Sequence, residues 1–203
     1  MATVTYALTS KEKVKSFLGI TDSSSDDVID ELISYVTDFI ESICGRRFKE
    51  TTYTDEQYDA RGQNDLFLKN YPISTLTTVK YRSGNVSSPT WISFDANDYL
   101  LYGESGFIHF MGKLPNYPKY VQVAYVAGYK IDWANELSAT HTLPFDVAMV
   151  ATEMVANLHE TRKNQGIQSM STEGQSVSFV DVQKQITQKQ MTALTKYKAY
   201  QIR

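Results

Sequence analysis

The side chains best suited to catalysis are four carboxylates in one short stretch, Asp55, Glu56, Asp59 and Asp65. Carboxylates that meet in a pocket can serve as general acid and general base in hydrolysis. Charged side chains are also typical of the exposed edge of a β-sheet, where they block pairing with other strands. We favour the edge interpretation, and a small hydrolase that uses Asp55, Asp59 and Asp65 remains an alternative.

The other reactive side chains are few. Cys44 is the only cysteine, so neither an internal disulfide nor a cysteine-rich zinc site can form. It ends an apolar helical pattern, which favours a buried spacer over a nucleophile. No two histidines have metal-binding spacing: His109 is predicted on a strand, His159 at a polar helix end and His141 in a loop without neighbours. The sequence therefore predicts no catalytic residue, no metal site and no cofactor, and the chain is not expected to be an enzyme.

The elements that position these residues begin with helices. Apolar residues that recur every three or four positions predict four of them, at about residues 10–18, 26–44, 144–163 and 183–198. The first follows a capping box, Thr9 to Glu12, and ends at Gly19. The second follows an acidic, serine-rich stretch and ends at Gly45. We expect these helices to form an antiparallel bundle.

Residues 51–129 are predicted to form an antiparallel β region, because runs of Val, Ile, Tyr, Phe and Thr alternate there with turn residues. The predicted strands are short, so they should join in one sheet or a small barrel. Gly103-Glu104-Ser105-Gly106 lies between two of them without a lysine, which predicts a turn and not a phosphate-binding loop. The predicted strands are residues 66–68, 76–81, 90–94, 99–102, 107–110 and 120–126.

The order of these elements predicts an α+β fold, in which an antiparallel helical bundle carries an inserted β region. Residues 1–50 with 130–203 would form the helical core, and residues 51–129 the β-rich inserted subdomain. One continuous domain is the other possibility. Residues 166–180 are predicted to form a hairpin or loop between the last two helices.

Composition narrows the class of protein. With 203 residues, 42% hydrophobic and 21% charged, the chain can bury a core and is too apolar for a disordered protein. The net charge of -3 argues against a general nucleic-acid coat. No apolar run reaches the length of a membrane span, so we expect no membrane association and a cytoplasmic site of synthesis. The 14 tyrosines and 9 phenylalanines suit an exposed aromatic sheet face, which leaves a monomeric binding module as a second alternative.

Charge is divided unevenly along the chain. Residues 22–41 contain many carboxylates and no Lys or Arg, whereas no carboxylate follows Asp181. Such a division is typical of two solvated faces, or of complementary docking to neighbouring copies or a partner. The basic residues of the C-terminal stretch are Lys184, Lys189, Lys196, Lys198 and Arg203.

Four stretches of the sequence, taken in order, resemble the sequence of a known protein family. Residues 8–48 read LTSKEKVKSFLGITDSSSDDVIDELISYVTDFIESICGRRF, and residues 66–81 read LFLKNYPISTLTTVKY. Residues 121–129 read VQVAYVAGY and are followed at Leu143-Pro144 by a helix with small and apolar residues. The last stretch, GIQSMSTEGQSVSF at residues 166–179, looks like a hairpin between the final helices. This series resembles the head-tail connector, or adaptor, family of tailed bacteriophages.

The resemblance implies a structural virion protein. Its members form a ring, a dodecamer, that docks under the portal protein, extends the DNA channel and offers a surface to a stopper or tail completion protein. DNA would pass through without sequence-specific binding, and residues 1–50 with 130–203 would be the ring-forming core. The expected location is the virion neck, after synthesis in the cytoplasm of the bacterial host.

Candidate site residues follow from the resemblance and the charge division together. An acidic channel surface would repel the phosphates of passing DNA. The channel candidates are Asp26, Asp27, Asp30 and Glu31. The portal candidates are Lys184, Lys189, Lys196, Lys198 and Arg203. The candidates for contact with a neighbour or the tail are Ile167, Met170, Val177 and Phe179.

Overall fold

The computed structural model describes residues 6–85, 87–163, 171–172, 175–176 and 187–200. Within this part of the chain lie four α-helices, α1 Lys11–Leu18, α2 Asp26–Cys44, α3 Phe145–Lys163 and α4 Gln188–Thr195. Short 3-10 helices lie at Ala96–Asp98 and Trp133–Asn135. The strands are β1 Thr51–Arg61, β2 Asp65–Phe67, β3 Ile73–Ser83, β4 Thr90–Ser93, β5 Tyr99–Tyr102, β6 Phe107–Phe110, β7 Asn116–Ala127, β8 Ser171–Thr172 and β9 Gln175–Ser176.

The ends of α1 and α2 have clear local causes. The Ser10 side chain accepts a hydrogen bond from the Lys13 N–H at 3.2 Å and caps α1. Thr9 is not the cap, because its hydroxyl is buried and lies 2.7 Å from the Thr152 hydroxyl. Gly19 and Gly45 end the two helices in the left-handed conformation, with φ of 70° and 67°.

One compact unit comprises Met1–Gly45 and Ile131–Lys198, which includes all four helices. In α2 the buried residues recur every three or four positions, so one face of the helix packs into the core. The facing helix α3 contributes small buried side chains, which allow the two helices to approach closely. The buried apolar residues of the two helices include Ile29, Ile33, Val36, Ile40, Ala148, Ala151, Val155 and Ala156.

The second compact unit comprises Arg46–Lys130 and Ala199–Arg203 and holds two antiparallel sheets. The strand order is β1-β7-β3-β4 in the four-stranded sheet and β2-β6-β5 in the three-stranded sheet. Both sheets contribute to one apolar cluster, as in a β-sandwich. The cluster includes Ala60, Leu66, Leu68, Val79, Ile108, Phe110, Val121, Val123 and Tyr125.

The predicted α+β fold, an antiparallel helical bundle with an inserted β region, is wrong. The described residues form four helices, the two antiparallel sheets of the second unit and the short β8–β9 sheet, in a fold that is mainly β-sandwich-like with added helices. Two of the predicted bundle helices, α1 and α4, have only 8 residues each and are too short for a regular bundle. Strands β1, β3 and β7 have 11, 11 and 12 residues and bury a core of their own. The expectation of one sheet or a small barrel is likewise corrected to two sheets.

Strand β1 was not among the predicted strands. It lies at the edge of the four-stranded sheet, and its register with β7 shifts between Tyr53 and Glu56 and again between Tyr58 and Ala60. Asp55, at the first shift, has a φ of 56°. Bulges interrupt the alternation by which a strand is detected, and they also protect an edge from pairing with other chains.

Within the segment predicted as a hairpin or loop, β8 and β9 form a short antiparallel ladder, with Ser171 opposite Ser176 and Thr172 opposite Gln175. In the described ranges, no helix is both long and apolar enough to cross a membrane.

Candidate assembly surfaces

The acidic face of α2 has partners that the sequence pattern did not reveal. Asp26 forms an ion pair with Lys15 at 2.7 Å, and Asp30 forms one with Lys11 at 2.7 Å. Both lysines come from α1, which precedes the acidic stretch. The hydrogen bond from Lys15 lowers the pKa of Asp26, and the hydrogen bond to Asp30 raises the pKa of Lys11. Two of the four channel candidates are therefore already neutralised.

Asp27 and Glu31 are different, because both are exposed and neither has an ion-pair partner in the described part of the chain. They lie four residues apart, on one face of α2. Asp38 is exposed farther along the same helix, and Tyr35, between Glu31 and Asp38, is 53% exposed. The unneutralised acidic surface of α2 is thus narrower than predicted.

The C-terminal helix α4 packs firmly on the helical unit. Its Thr187 forms a capping box with Gln190. Leu194 is fully buried, and its carbonyl lies 3.9 Å from the sulfur of Cys44, which is itself 2% exposed. The Gln190 side chain donates to the Glu153 carboxylate at 3.1 Å. The predicted burial of Cys44 is confirmed, and α4 is part of the core that covers it.

The portal candidates have mixed environments. Lys189 and Lys198 are exposed, whereas Lys196 forms an ion pair with Asp146, which also accepts a hydrogen bond from Tyr197 at 2.7 Å. Lys184 and Arg203 lie outside the described residues, as do all four candidates for neighbour or tail contact, Ile167, Met170, Val177 and Phe179.

The carboxylates proposed for hydrolysis have separate partners. Asp59, on β1, accepts a hydrogen bond from the Lys119 N–H at 2.8 Å and lies 3.9 Å from Arg61. Asp65, on β2 of the other sheet, lies 2.6 Å from Nδ1 of His109. Asp55 is exposed at the β1 bulge. These contacts match charged sheet edges and give no support to a shared acid-base pocket.

Glu56 instead takes part in a polar cluster inside the sandwich. Its Oε2 accepts hydrogen bonds from the hydroxyls of Tyr58 and Tyr125, each at 2.6 Å. The two hydroxyls are 3.0 Å apart, and the Asn70 side chain reaches Tyr125 at 3.5 Å. Burial, followed by the proximity of Tyr125 and the hydrogen bond to Glu56, raises the pKa of Tyr58 well above its usual range. Burial and the same carboxylate also raise the pKa of Tyr125.

The histidines give one confirmation and two corrections. His109 alternates with buried Ile108 and Phe110 on β6, as predicted. His159 is only 3% exposed, so a polar helix end was the wrong expectation. His141 does have neighbours: its ring lies 4.7 Å from that of Trp133, and the Asp132 N–H donates to its Nδ1. Among the described residues no group of three or more His, Cys, Asp or Glu side chains could hold a metal ion.

Arg46 is a buried cation that sequence reasoning missed. It is 3% exposed, and its guanidinium lies 3.8 Å from the ring centre of Tyr71 and 5.2 Å from that of Phe48. It donates a hydrogen bond to the Tyr71 carbonyl. Aromatic faces stabilise a cation withdrawn from water. The Cys-Gly-Arg-Arg-Phe ending of the first resembling stretch was the available signal, because it places an arginine two residues before a buried aromatic.

A groove of about 680 Å³ lies on the helical unit, lined by residues of α1, the Trp133–Asn135 turn and α3. The Trp133 indole is anchored through a hydrogen bond from Nε1 to the Ala7 carbonyl at 3.0 Å. The Lys13 ammonium lies 5.3 Å from the Trp133 ring centre and 5.1 Å from that of Phe145, and it pairs with Glu136. These contacts fix one wall of the groove. The lining residues are Ser10, Glu12, Lys13, Ser16, Phe17, Trp133, Ala134, Glu136, Met149 and Thr152.

The sandwich exposes apolar side chains at a second place, along edge strands β4 and β5. Leu100, Leu101 and Tyr102 are 49%, 38% and 47% exposed, and Ile92 is 40% exposed. Neither strand carries a charged residue. These edges lack the charges and bulges of β1, and such an edge is open to pairing with another strand.

Comparison with known proteins places the chain in a family. A sequence profile described as "Head completion protein" matches residues 7–200. No curated protein matches the chain.

Three solved structures have a similar fold. A chain in "Neck of empty GTA particle computed with C6 symmetry" is 14% identical with a TM-score of 0.57, over 95% of this chain and 90% of that chain. A chain in "Virion of native gene transfer agent (GTA) particle" is 15% identical with a TM-score of 0.54, over 98% and 96%. A chain in "Neck of native GTA particle computed with C12 symmetry" is 12% identical with a TM-score of 0.51, over 98% and 96%. At these identities the likeness shows a shared fold.

The family profile spans nearly the whole chain, so it covers both compact units and all four resembling stretches. The predicted resemblance to head-tail connectors is thereby confirmed. This chain belongs to the head completion protein family and has the structural role of a head-tail connector.

Proposed function

We propose that this chain is the subunit of a closed ring, a dodecamer, that lies in the virion neck between the portal protein and a stopper or tail completion protein. The family match over residues 7–200 carries the proposal. The neck structures with the same fold, computed with C6 and C12 symmetry, support a ring of this kind. The subunit would be made in the bacterial cytoplasm and would have a structural role without a catalytic step.

In this ring we assign the channel surface to α2. The candidates are Asp26, Asp27, Asp30 and Glu31, and the two without ion pairs, Asp27 and Glu31, would contribute most of the negative potential. A negative surface repels phosphates, so DNA would slide without being held.

The channel assignment is tested by removing that charge. Rings with Asp27→Asn and Glu31→Gln should retain DNA more strongly than wild-type rings in a low-salt retention assay. Asp95→Asn with Asp98→Asn, two exposed carboxylates of the sandwich, is the charge-matched control. Equal retention by the α2 variant and the control would remove the assignment.

Portal contact is assigned to the basic C-terminal residues Lys184, Lys189, Lys196, Lys198 and Arg203. Deleting the whole segment is a poor test, because loss of α4 would uncover Cys44 and the face of the core under Leu194. Substitution of the exposed Lys189 and Lys198 by Glu avoids this problem. Co-sedimentation with portal particles should be lost in that variant and kept in the control Lys69→Glu with Lys130→Glu. Persistent co-sedimentation would contradict the assignment.

Neighbour or tail contact is assigned to Ile167, Met170, Val177 and Phe179, in the segment that contains the β8–β9 ladder. Met170→Asp with Phe179→Asp should abolish binding of the tail completion protein to portal-bound subunits. Portal docking should be unchanged in the same variant. Full binding of the tail protein would exclude this assignment.

A monomeric binding module remains the second candidate, because edge strand β5 exposes apolar side chains on an uncharged edge. Such a module would stay monomeric in the presence of portal particles, whereas a ring subunit would assemble on them.

A further inference from the structure

We infer that, in the proposed ring, the α1–α3 groove of one copy receives the β6–β7 corner of the next copy. The corner is defined as residues 111–119, with the exposed side chains Met111, Lys113, Tyr117 and Lys119. The inference rests on the proposed function for the existence of the ring, and it adds which surfaces of the subunit meet.

The groove is suited to an apolar side chain with a basic neighbour. Phe17 is 53% exposed on the groove wall, Phe145 is 68% exposed beside it, and Met149 and Trp133 line it. Aromatic residues and methionine are enriched at the centres of protein interfaces. Glu12 is exposed in the lining and has no ion-pair partner within the described ranges. The groove therefore combines exposed aromatic and methionine side chains with one carboxylate, Glu12, that has no ion-pair partner in the described part of the chain.

The β6–β7 corner has complementary properties. Met111 and Tyr117 are each 56% exposed, and Lys113 and Lys119 are exposed next to them. The corner is held from behind, because Leu114 is 5% exposed and the Lys119 N–H donates to Asp59 at 2.8 Å. A segment that is already held by such contacts loses little conformational entropy when it binds.

The other exposed apolar surface of the sandwich, along β4 and β5, is a poorer occupant. Its flanks carry the exposed carboxylates Asp95 and Glu104, which would face Glu12 with the same sign. The unpaired backbone N–H and C=O groups of an open strand edge also need hydrogen-bond partners on the surface that the edge binds. The groove is walled by helices, whose backbone groups are already paired. The corner brings side chains and positive charge, which the groove can accommodate.

The proposed contact also has the symmetry that a ring requires. The groove belongs to the helical unit and the corner to the sandwich, so each copy uses two different surfaces. Contacts of this head-to-tail type form a ring when the rotation between successive copies closes, whereas a self-complementary patch gives only a dimer.

The most direct test is a disulfide between neighbouring copies. Cys44 is buried, so new cysteines can be introduced without a competing exposed thiol. Phe17→Cys with Tyr117→Cys, oxidised after assembly on portal particles, should give a ladder of covalent oligomers on a non-reducing gel. Each single substitution should give dimers at most. The matched control, Phe17→Cys with Leu101→Cys, should give no ladder, since it pairs the groove with the β5 edge.

These experiments distinguish a failure of the proposed interface from a failure of the proposed function. Rings that are visible by electron microscopy but give no Phe17–Tyr117 ladder would overturn the interface while leaving the proposed function in place. A ladder only in the Phe17–Leu101 control would show that the β5 edge is the occupant and would also overturn the inference. Failure of wild-type subunits to form any ring would refute the proposed function, and the inference would fall with it.

A charge exchange provides an independent readout. Glu12→Lys should raise the subunit concentration needed for half-maximal ring assembly by roughly fivefold, as for loss of one exposed ion pair. Combining it with Lys113→Glu should restore most of the loss, because the attraction is recreated with reversed signs. No rescue by Lys113→Glu or by Lys119→Glu would contradict the proposed pairing.

Discussion

Among single residues, Glu56 departs most from the surface role expected of its strand. It lies on an edge strand with Asp55 and Asp59, yet its carboxylate accepts hydrogen bonds from two tyrosine hydroxyls of the sandwich. A charged acceptor that serves two partly buried donors stabilises the fold more than a neutral one. Its contribution is structural, because it holds β1 on β7 where the bulges interrupt their ladder.

Removing this acceptor should be costly. Glu56→Ala leaves the Tyr58 and Tyr125 hydroxyls without their carboxylate partner, so we expect the free energy of unfolding to fall by about 2–3 kcal/mol. Urea denaturation of the isolated subunit measures this change. The neighbouring Gln57→Ala, at an exposed position, should change stability by less than about 0.5 kcal/mol. Equal effects of the two substitutions would show that the Glu56 hydrogen bonds do not contribute measurably to the free energy of unfolding.

The same tyrosines predict a dependence on alkaline pH. Because the folded state raises the pKa of Tyr58 and Tyr125 above the ordinary value of 10.0, the unfolded chain loses these protons first. Their contribution to stability is present below pH 10 and is lost as pH rises above that value, with a slope that approaches about 1.4 kcal/mol per pH unit for each tyrosine. Denaturation between pH 9 and 11 should show this slope, reduced in Tyr58→Phe. An unchanged slope in that variant would contradict the origin proposed for it.

At the scale of elements, α4 shows how a helix of 8 residues can matter to a larger unit. It is too short to be stable alone. Its stability comes from Leu194, from the Gln190 contact to Glu153, and from the pair that Lys196 forms with Asp146. The described part of the C-terminal stretch, residues 187–200, therefore packs on the helical unit through α4 and leaves Lys189 and Lys198 exposed.

The rate at which a thiol reagent modifies Cys44 measures how well α4 is docked on the helical unit. Leu194→Ala should destabilise the helical unit by about 2–5 kcal/mol, as for other fully buried leucines. It should also raise the rate at which a thiol reagent modifies Cys44 by about tenfold or more, because local opening of α4 exposes the sulfur. Lys189→Ala, on the exposed side of α4, is the control and should change neither quantity. Slow modification of Cys44 in Leu194→Ala would mean that α4 does not cover it.

Two glycines of the sandwich have the same backbone conformation, so replacing each by alanine distinguishes the cost of backbone strain from the cost of steric overlap. Gly62 and Gly106 both have a φ of 72°, but a Cβ on Gly62 would meet nothing within 4 Å, whereas one on Gly106 would lie 2.6 Å from Cβ of Tyr71. Gly62→Ala should cost about 1–2 kcal/mol, from the left-handed backbone alone. Gly106→Ala should cost clearly more, and thermal unfolding of both variants compares them. Equal losses would show that the turn after β5 can move away from Tyr71.

A helix or strand could be predicted from the sequence when nearby residues determine it, and could not when distant residues do. Helix α2 was predicted at 26–44 and is observed at Asp26–Cys44, because its apolar stripe and its terminal Gly45 are local signals. The limits of β5 and β6 were likewise correct. Strand β1 could not be found, since its polar residues lack alternation and its pairing with β7 comes from distant sequence. The neutralisation of Asp26 and Asp30 was hidden for the same reason: Lys15 and Lys11 meet them only after α1 folds onto α2.

At the scale of the whole molecule, each compact unit has surfaces suited to a partner. On the helical unit these are the acidic residues Asp27 and Glu31, the exposed lysines of the C-terminal stretch and the α1–α3 groove. On the sandwich they are the basic β6–β7 corner and the uncharged β5 edge. A monomer in water gains nothing from exposed aromatic and apolar side chains, whereas a ring can cover them. The fold class was mispredicted because the β region was treated as an insertion into a helical bundle, but the family resemblance depended on the order of the stretches and was not affected.

In the proposed function, this head completion protein forms a ring with an open channel at the portal. Electron microscopy of portal particles, with and without the purified subunit, tests it most directly. We expect an added ring of density on the portal, with twelvefold symmetry and a channel wide enough for duplex DNA. Portal particles that gain no density, in the presence of a subunit that remains monomeric in solution, would contradict the account.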